Sequence, residues 1–360
     1  LLKKAFEDLP IDLKNAMKLA FNRIKSFHEK QKPSGFDYKD EIGVNLGLKY
    51  SPIKRVGFYT PGGKALYPSS VLMNAVPALV AGVEERVLVS PIYLEKSSEI
   101  LLAAAYLAEV TEFYRMGGAQ AIAALAFGTE KLRKVDKIVG PGNAYVAEAK
   151  RQLYGKVGID SVAGPSEVLI VADNKNNPEW IAIDLLSQAE HDENAQSILI
   201  TNDEKFAKNV ENQIVKLLET LPRKQIASSS WYNNGLILII EHINECIDLI
   251  NQIAPEHLEL CIENPKLYLD DINNAGSIFL GNYTPEAIGD YIAGPNHVLP
   301  TEGTARFSSG LGTNDFLRRT TFVQCNEHNL NDLGKHAEIL AEAEGLDAHR
   351  MSIYARRKDD

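Results

Sequence analysis

The sequence predicts an α/β protein built on parallel β-sheets, and three observations lead to this prediction. Short runs rich in β-branched residues alternate with helical patterns along nearly the whole chain, an order typical of βαβ units. Several of these runs, such as residues 168–171, are apolar on both faces and are therefore expected to lie in the centre of a sheet. The chain of 360 residues is also long enough for two domains, each with its own hydrophobic core.

Each predicted element is a short segment with one clear periodicity. The predicted strands are residues 55–60, 86–90, 137–140, 167–172, 197–201, 236–241 and 277–281. The predicted helices are residues 69–82, 97–108, 118–127, 144–154, 179–191, 203–221 and 245–253. The last segment, residues 331–357, is rich in Ala, Glu and Lys and is expected to be a mainly helical appendage. Such an appendage would pack on another body, for example a second subunit.

Composition and charge exclude several classes of function. The net charge is −10 and the chain contains no basic block, which argues against nucleic acid or an anionic membrane as a partner. The longest apolar stretches, such as residues 71–83, are interrupted and too short to span a bilayer. With 45% apolar and 24% charged residues, the composition is that of a soluble globular protein.

The three cysteines, Cys246, Cys261 and Cys325, show no CxxC spacing. We therefore expect no disulfide framework and a reduced, cytoplasmic compartment. Cys246 and Cys325 have no adjacent histidine and Cys261 alternates with leucines in a strand-like run, so a thiol mechanism is not expected. No signal peptide is visible in the amphipathic pattern that starts at Leu1, and residues upstream of it are expected to have been removed.

Strand-like runs end in three turns rich in Gly and Pro, at residues 59–63, 140–143 and 163–166. In open α/β sheets, ligands bind where loops leave the carboxyl ends of strands, and glycines there let backbone amides approach a phosphate. A tight turn alone explains any one of these segments, but three of them favour a nucleotide or another anionic ligand. The G-x-G-x-x-G fingerprint is missing, because the segment 117–120 does not match its spacing. A dinucleotide would therefore need an atypical version of the fold.

Four histidines in the second half of the chain each lie near a carboxylate or a carboxamide. The groups are Gln188 with His191, Glu256 with His257, Asp290 with His297, and Glu344 with His349. Such an inventory could build one metal site and one acid–base pair. If the four groups converge in space, the protein is a metal-assisted enzyme.

Gln188 and His191 are three residues apart near the end of a predicted helix, so their side chains share one face. An imidazole at this spacing from another donor is a usable metal half-site, although Gln is an uncommon ligand, and a solvated helix end is the alternative. Asp290 and His349 would supply a carboxylate and a second imidazole. Two nitrogen and two oxygen donors suit Zn²⁺, with Mn²⁺ or Co²⁺ as substitutes.

Glu256 and His257 are adjacent in a segment that precedes a strand-like run, so they would serve different atoms of a ligand. The histidine could take a proton from an alcohol, and a glutamate with a pKa raised by burial could take one from water. A surface Glu-His pair is the alternative. His297 lies in a loop bounded by Gly and Pro, where it serves either a ligand or a structural cap.

These segments together resemble histidinol dehydrogenases. The matching stretches are VGFYTPGG (56–63), GGAQAIAALAFGTE (117–130), VDKIVGPGN (135–143), AGPSEV (163–168), DLLSQAEH (184–191), PEHL (255–258), GDY through NHVLPT (289–301) and EGLDAH (344–349). The resemblance covers nearly the whole chain, and its motifs are long.

The resemblance implies NAD-dependent, two-step oxidation of L-histidinol to L-histidine through enzyme-held L-histidinal, the last step of histidine biosynthesis. It implies a homodimer with one Zn²⁺ per subunit, and two intertwined, atypical Rossmann-like domains that resemble those of aldehyde dehydrogenases. The first α/β domain would span 1–58 and 166–311 and carry the metal and catalytic residues. The second would span 59–165 on the NAD side, and the tail 312–360 would complete the partner subunit's site.

The resemblance also implies roles for individual residues. The implied zinc ligands are Gln188, His191, Asp290 and His349. The implied catalytic pair is Glu256 and His257. The implied substrate contacts are Ser166, His297 and Glu344, together with Gln188, His191, His257, Asp290 and His349. The implied NAD contacts are Tyr59, Gln120 and Asn143.

Two departures and two alternatives remain. The family has a segment ahead of Leu1 that contributes to the dimer, and the acidic pair Asp192-Glu193 stands where a less acidic step is expected. One alternative is a related zinc-dependent alcohol dehydrogenase acting on another amino alcohol or a sulfonated diol, which Glu344 and His297 argue against. The other is a zinc-dependent binding protein without turnover, which has no need of the Glu256-His257 pair.

Overall fold

The computed structural model describes residues 1–62, 66–92 and 98–357. Contacts divide the chain into two compact units. The first contains Leu1–Gln31 and Ile53–Phe316, and the second contains Lys32–Pro52 and Leu317–Asp360. Each unit has its own sheet system, and the predicted α/β class with parallel sheets is confirmed. The domain boundaries given above stay predictions.

The elements follow in chain order. The strands are β1 (Phe36–Lys39), β2 (Asn45–Pro52), β3 (Arg55–Tyr59), β4 (Glu85–Ser90), β5 (Glu112–Arg115), β6 (Lys137–Val139), β7 (Gly158–Ile159), β8 (Glu167–Ala172), β9 (Gln196–Thr201), β10 (Leu236–Ile239), β11 (His257–Cys261), β12 (Ser277–Leu280) and β13 (Leu317–Gln324). The helices are α1 (Leu2–Glu7), α2 (Ile11–Lys30), α3 (Pro68–Ala81), α4 (Glu99–Leu107), α5 (Gly118–Phe127), α6 (Ala144–Leu153), α7 (Pro178–Ala189), α8 (Glu204–Leu218), α9 (Lys224–Asn234), α10 (Cys246–Ile253), α11 (Glu286–Ile288), α12 (Glu327–Ala343) and α13 (Asp347–Tyr354). A π-helical turn, Gly289–Ala293, continues α11.

All seven predicted strands are confirmed, with ends that differ by up to two residues. The predicted helix 97–108 begins at residue 97, which lies outside the described residues, and is otherwise confirmed as α4. The strand-like run that follows Glu256 and His257 is confirmed as an eighth strand, β11. The other five strands were not predicted, among them β7 of two residues and the exposed β13. Neither carries a clear pattern, because β7 is too short to show one and the residues of β13 are nearly all exposed.

The first sheet is parallel, with strand order β5-β4-β3-β6-β7. The chain starts at β3, moves outwards to β5 and then returns to the other side of β3 with β6. The strand order therefore reverses between β3 and β6, which is the position where doubly wound sheets bind ligands at their carboxyl ends. Its core includes Val87, Val89, Ile122 and Leu125, all fully buried.

The second sheet repeats this winding with order β10-β9-β8-β11-β12, again all parallel. Val168 and Ile170 of β8 pack on the side of α7, while Leu169 and Val171 pack on the side of α10. This arrangement confirms the prediction that residues 168–171 lie in a central strand, since both faces of the strand are covered. Its order reverses between β8 and β11.

The second unit contains an antiparallel sheet of order β1-β2-β13. All eight residues of β13 pair with β2, from Leu317 opposite Pro52 to Gln324 opposite Asn45. Helix α12 starts with a capping box between Asn326 and Asn329. The predicted appendage is therefore helical in α12 and α13, but it is preceded by a strand.

Among the described residues, no helix combines the length and the apolar character that crossing a bilayer requires.

The amino ends of three strands in the first sheet are joined by one buried cation. Arg55 of β3 contacts Glu85 of β4, and its two terminal nitrogens lie 2.5 Å and 2.8 Å from the two carboxylate oxygens of Glu112 in β5. Hydrogen bonds from Arg55 lower the pKa of Glu112 to about 2. A bidentate pair of this kind is stronger than a neutral hydrogen bond and fixes the relative position of its partners.

We expect Glu112→Gln to lower the free energy of unfolding at pH 7 by about 1.5–3 kcal/mol, the usual worth of a hydrogen bond to a charged group. Because the pKa of Glu112 is lowered on folding to about 2, its carboxylate stabilises the fold above its ordinary pKa, and this stabilisation fades as the pH falls towards 2. The difference between the two proteins should therefore shrink between pH 4.5 and 2 in denaturant titrations. Glu109→Gln is the control, since Glu109 is mostly exposed. A difference that stays constant over this range would contradict the expectation.

Candidate active site

His257 is the first residue of β11 and is almost fully buried, opposite Val168 of β8. Its Nδ1 lies 3.0 Å from the carbonyl oxygen of Glu167, so the ring proton is on Nδ1. Its Nε2 is buried and has no hydrogen-bond partner among the described residues. Burial lowers the pKa of His257 to about 4. At neutral pH the ring is thus a neutral base with a free acceptor nitrogen.

Three carboxylates surround this ring. Nδ1 lies 3.6 Å from Glu256 and 3.6 Å from Glu286, while Nε2 lies 3.8 Å from Asp290. Burial raises the pKa of Glu256 and that of Glu286 well above the usual range, because the low-polarity interior disfavours the charged carboxylate. The site therefore concentrates acidic groups that need a proton or a cation as a neighbour.

Two hydrogen bonds from backbone N–H groups to carboxylates hold Glu167, the first residue of β8, to Glu256, which precedes β11. The Glu167 N–H donates to Glu256 Oε2 at 2.9 Å, and the Glu256 N–H donates to Glu167 Oε2 at 3.4 Å. Glu167 Oε1 also accepts from the N–H of Glu302 at 2.9 Å. Glu167 thus orients both catalytic candidates, since its carbonyl holds His257 as well.

A second imidazole lies on the other side of Asp290. His297 Nδ1 donates to the Asp290 carbonyl at 3.1 Å, and its Nε2 lies 3.5 Å from Ser70 Oγ of α3. The neighbouring Asn296 donates to the Met73 carbonyl of α3 at 2.6 Å. Helix α3 follows β3 of the first sheet. The loop that carries Asn296 and His297 therefore connects the first sheet to the site at the second sheet.

The structure brings five of the residues predicted from the sequence together: Gln188, Glu256, His257, Asp290 and His297. Gln188 is fully buried in α7, and its side-chain amide lies 3.2 Å from His257 Nδ1. His191 follows α7 and is exposed, yet it is near enough to disfavour the charged form of His257. Ser166 immediately precedes β8, and its carbonyl accepts from the Gln196 N–H at 3.0 Å.

Glu344 and His349 belong to the second compact unit. Glu344 is the C-cap residue of α12, and His349 lies in the first turn of α13. Both side chains are exposed. The roles that the resemblance implies for them stay predictions.

The donor set fits a divalent cation. One ligand atom each from His257, Glu286 and Asp290 lies within 4.8 Å of the others. In the described part of the chain, Gln188 Oε1, His257 Nε2 and Glu286 Oε2 are buried without a hydrogen-bond partner. Orphaned buried polar atoms are costly, and a nitrogen and oxygen set of this kind suits Zn²⁺.

Sequence reasoning missed Glu286 and Glu167. Glu286 precedes Asp290 by four residues, a spacing that places both on one helical face, and this was the available signal. The burial of Glu286 could not be anticipated, since neighbouring residues 281–285 are polar or turn-forming. Glu167 was recognised only as the start of a strand.

The predicted NAD contacts lie at the carboxyl edge of the first sheet, where its strand order reverses. Tyr59 ends β3, and its hydroxyl accepts from the Gly118 N–H at 3.1 Å. Asn143 is the N-cap of α6, where its Oδ1 accepts from the Val146 N–H at 3.1 Å. Gln120 is exposed in the first turn of α5. Gly63 of the first glycine turn lies outside the described residues.

The two sheets use opposite edges, and this corrects one expectation from the sequence. Turns 59–62 and 140–143 follow strands, but turn 163–166 leads into the amino end of β8. Glu256 and His257 likewise lie at the amino end of β11. The residues of the candidate active site in the second sheet are therefore at its amino edge, and residues 160–166 connect the end of β7 in the first sheet to this edge.

The thiols take no part in this arrangement. All three cysteines are free, and Cys246 and Cys261 are buried. Burial raises the pKa of Cys246 to about 11 and raises the pKa of Cys261 above its usual range. Neither is a reactive thiolate at neutral pH.

The fold is that of aldehyde-dehydrogenase-like proteins. An acetylating aldehyde dehydrogenase from Geobacillus thermoglucosidasius superposes with a TM-score of 0.57 at 13% identity, covering 90% of this chain and 86% of that one. A histidinol dehydrogenase from Elizabethkingia anophelis superposes with a TM-score of 0.93 at 41% identity, covering 99% of this chain and 82% of that one.

Sequence comparison narrows this class to one family. The histidinol dehydrogenase family model matches residues 1–357. Histidinol dehydrogenase 1 from Trichormus variabilis is 58% identical over 345 residues, 96% of this chain and 80% of that protein. Histidinol dehydrogenase from Rhodospirillum rubrum is 56% identical over 345 residues, with the same coverage. This chain belongs to the histidinol dehydrogenase family.

We expect Glu286→Gln to weaken Zn²⁺ binding by about 10–100-fold, the usual effect of removing a group that supports a metal site. The physical reason is that a cation beside His257 and Asp290 favours the ionised form of the Glu286 carboxyl, and a glutamine cannot take this charge. The measurement is a competition titration with a coloured chelator. Glu263→Gln is the matched control, because Glu263 is exposed and pairs with Lys175. Equal zinc affinities of the Glu286 variant and the unaltered chain would exclude this role.

Proposed function

We propose that this chain catalyses the NAD-dependent oxidation of L-histidinol to L-histidine in two steps, through L-histidinal that stays bound. Its membership of the histidinol dehydrogenase family makes it an oxidoreductase of histidine biosynthesis. The observation that carries the proposal is the free Nε2 of a buried, neutral His257, which lies beside Glu256 and beside two proposed metal ligands, Gln188 and Asp290. We assign the reaction to the cytoplasm, since the cysteines are free.

His257 acts as the base in the first step. Its Nδ1–H is held by the Glu167 carbonyl, which fixes the tautomer and directs Nε2 away from β8. A lowered pKa keeps this nitrogen unprotonated before reaction. Nε2 then takes the hydroxyl proton of the alcohol as the first hydride leaves its carbon.

Glu256 acts in the second step. A carboxylate with a pKa raised by burial is a stronger base than one in water, and it takes a proton from the water that attacks the aldehyde. The Glu167 N–H holds one of its oxygens at 2.9 Å, so its other oxygen faces the water. The resulting hydrate anion loses the second hydride to a second NAD⁺, and the carboxylic acid so formed releases a proton to become the carboxylate of L-histidine.

Zn²⁺ and NAD⁺ would supply the remaining chemistry: bound zinc would polarise and orient the substrate, and two NAD⁺ molecules would accept one hydride each. Gln188, His191 and Asp290 would hold the zinc together with His349. The orphaned Gln188 Oε1 and the position of Asp290 support this set. The cofactor would contact Tyr59, Gln120 and Asn143 at the carboxyl edge of the first sheet.

We also propose a homodimer in which the tail of one subunit completes the site of the other. His349 and Glu344 are exposed on the second compact unit, as residues that serve a partner must be. Exposed apolar residues of this unit, including Leu340, Leu346 and Met351, support an interface there. Within its own subunit, Ser166 and His297 would contact the substrate.

The proposal is tested by the NADH formed from limiting L-histidinol. We expect two NADH per substrate with added Zn²⁺ and none with excess chelator, because oxidation to the carboxylate removes two hydrides. One NADH would indicate an alcohol dehydrogenase that releases the aldehyde. If folded, zinc-loaded protein forms no NADH, histidinol is excluded as the substrate, and another amino alcohol or a sulfonated diol is favoured.

Shared sites can be tested with two inactive variants, His257→Asn and His349→Asn. A hybrid dimer would contain one intact site, because the intact His257 of one subunit meets the intact His349 of the other. Random exchange of equal amounts should restore about a quarter of the unaltered activity, as half of the dimers are hybrids with one active site. Mixing two preparations of the same variant is the control. No recovery after demonstrated subunit exchange would place both histidines in the same subunit's site.

A further inference from the structure

A buried ion pair lies beneath the glycine turn that follows β6. Lys150 of α6 pairs with Asp160, which follows β7, and their side chains are only 3% and 5% exposed. Lys150 Nζ donates to the Gly140 carbonyl at 3.1 Å. Asp160 Oδ2 accepts from the Gly140 N–H at 2.7 Å. The pair therefore holds both polar backbone groups of one residue.

Such a pair is an unusual choice for stability alone. Removing two charges from water costs several kcal/mol, and apolar residues of similar size at such positions are often as stable. The hydrogen bonds instead define the orientation of both peptide groups that flank Gly140. This orientation is demanding, because Gly140 has φ +113° and a Cβ there would lie 2.0 Å from the Tyr59 carbonyl oxygen.

The geometry connects the turn to every element around it. Lys150 lies seven residues after Asn143, two turns along the helix that Asn143 caps. Asp160 connects the same turn to the end of β7, and the close approach of Gly140 connects it to Tyr59 at the end of β3. The turn thus has fixed neighbours on three sides, at the edge where the strand order reverses.

We infer that Lys150 and Asp160 are positioning residues for the NAD site. They hold turn 140–143 in the geometry that binds the cofactor. The inference rests on the proposed function, since it takes Asn143 as a cofactor contact. A turn held in one conformation needs no ordering when the cofactor binds. If the turn kept this geometry only a tenth of the time, the apparent Kd for NAD⁺ would rise about tenfold.

The variants are Lys150→Met, and Lys150→Met combined with Asp160→Leu. The single variant leaves Asp160 buried without its cation, so we expect both a lower Tm and an NAD⁺ Kd raised about tenfold. The double variant replaces the pair by apolar side chains, and we expect it to recover the Tm while the Kd stays raised. If the ion pair had a purely structural role, the double variant would recover both the Tm and the NAD⁺ Kd of the unaltered chain. The Kd is measured by isothermal titration calorimetry.

Kinetics supply a second readout. We expect the KM for NAD⁺ to rise about tenfold in the double variant, while the KM for L-histidinol and kcat stay within about twofold. Glu112→Gln is the control, because Glu112 stabilises the opposite edge of the same sheet and should lower the Tm without changing the Kd. A double variant that binds NAD⁺ as tightly as the unaltered chain would overturn the inference.

The two proposals fail in distinguishable ways. If the unaltered chain binds NAD⁺ but does not oxidise L-histidinol, the substrate assignment is wrong, and the Kd comparison still decides the role of Lys150 and Asp160. If the unaltered chain does not bind NAD⁺, both proposals are wrong.

Discussion

The burial of acidic groups around His257 is the constraint on which the site depends. Glu256 and Glu286 are almost fully buried, and low polarity makes an uncompensated carboxylate costly. The fold offers backbone N–H groups and imidazoles as neighbours, which stabilise negative charge only in part. The remaining imbalance changes the pKa of each group and leaves oxygens without partners. The same imbalance makes the cluster suited to a divalent cation, so the electrostatic cost and the proposed cation binding have one origin.

The pairing of β8 with β11 produces this burial. In a parallel sheet covered on both faces, the first residues of a central strand are enclosed by the connections before and after it. Glu167 and His257 occupy this position in adjacent strands, which lets one residue orient the other through its backbone. The carbonyl that holds His257 is a main-chain atom of β8. Strand pairing fixes its position, which does not depend on a neighbouring side chain.

The repeated winding gives the first compact unit two sheet edges at which candidate site residues lie. Both five-stranded sheets reverse their order between two central strands, yet the first presents its carboxyl edge and the second its amino edge. Residues 160–166 connect these two edges, and Asp160 at the start of this connection contacts the glycine turn of the first sheet. The loop around His297 adds a second connection through Ser70 and Asn296. The fold is shared with aldehyde dehydrogenases, yet the buried thiols of this chain take no part in the candidate site. The chemistry of a site depends on its local residues and not on the fold.

The sequence by itself determined the α/β class, the central strands and the residues able to do chemistry, since periodicity and residue type are local properties. It identified His257 and Asp290, but it did not identify Glu286, Lys150 or Asp160. The roles proposed for them rest on burial and on partners far away in the chain, which only tertiary structure decides. The same is true of the edge on which the site lies, because a strand pattern reads alike whichever end of the strand carries function. Glycine and proline identify the turns in the sequence, but the residues that hold a turn in place can be identified only from the structure.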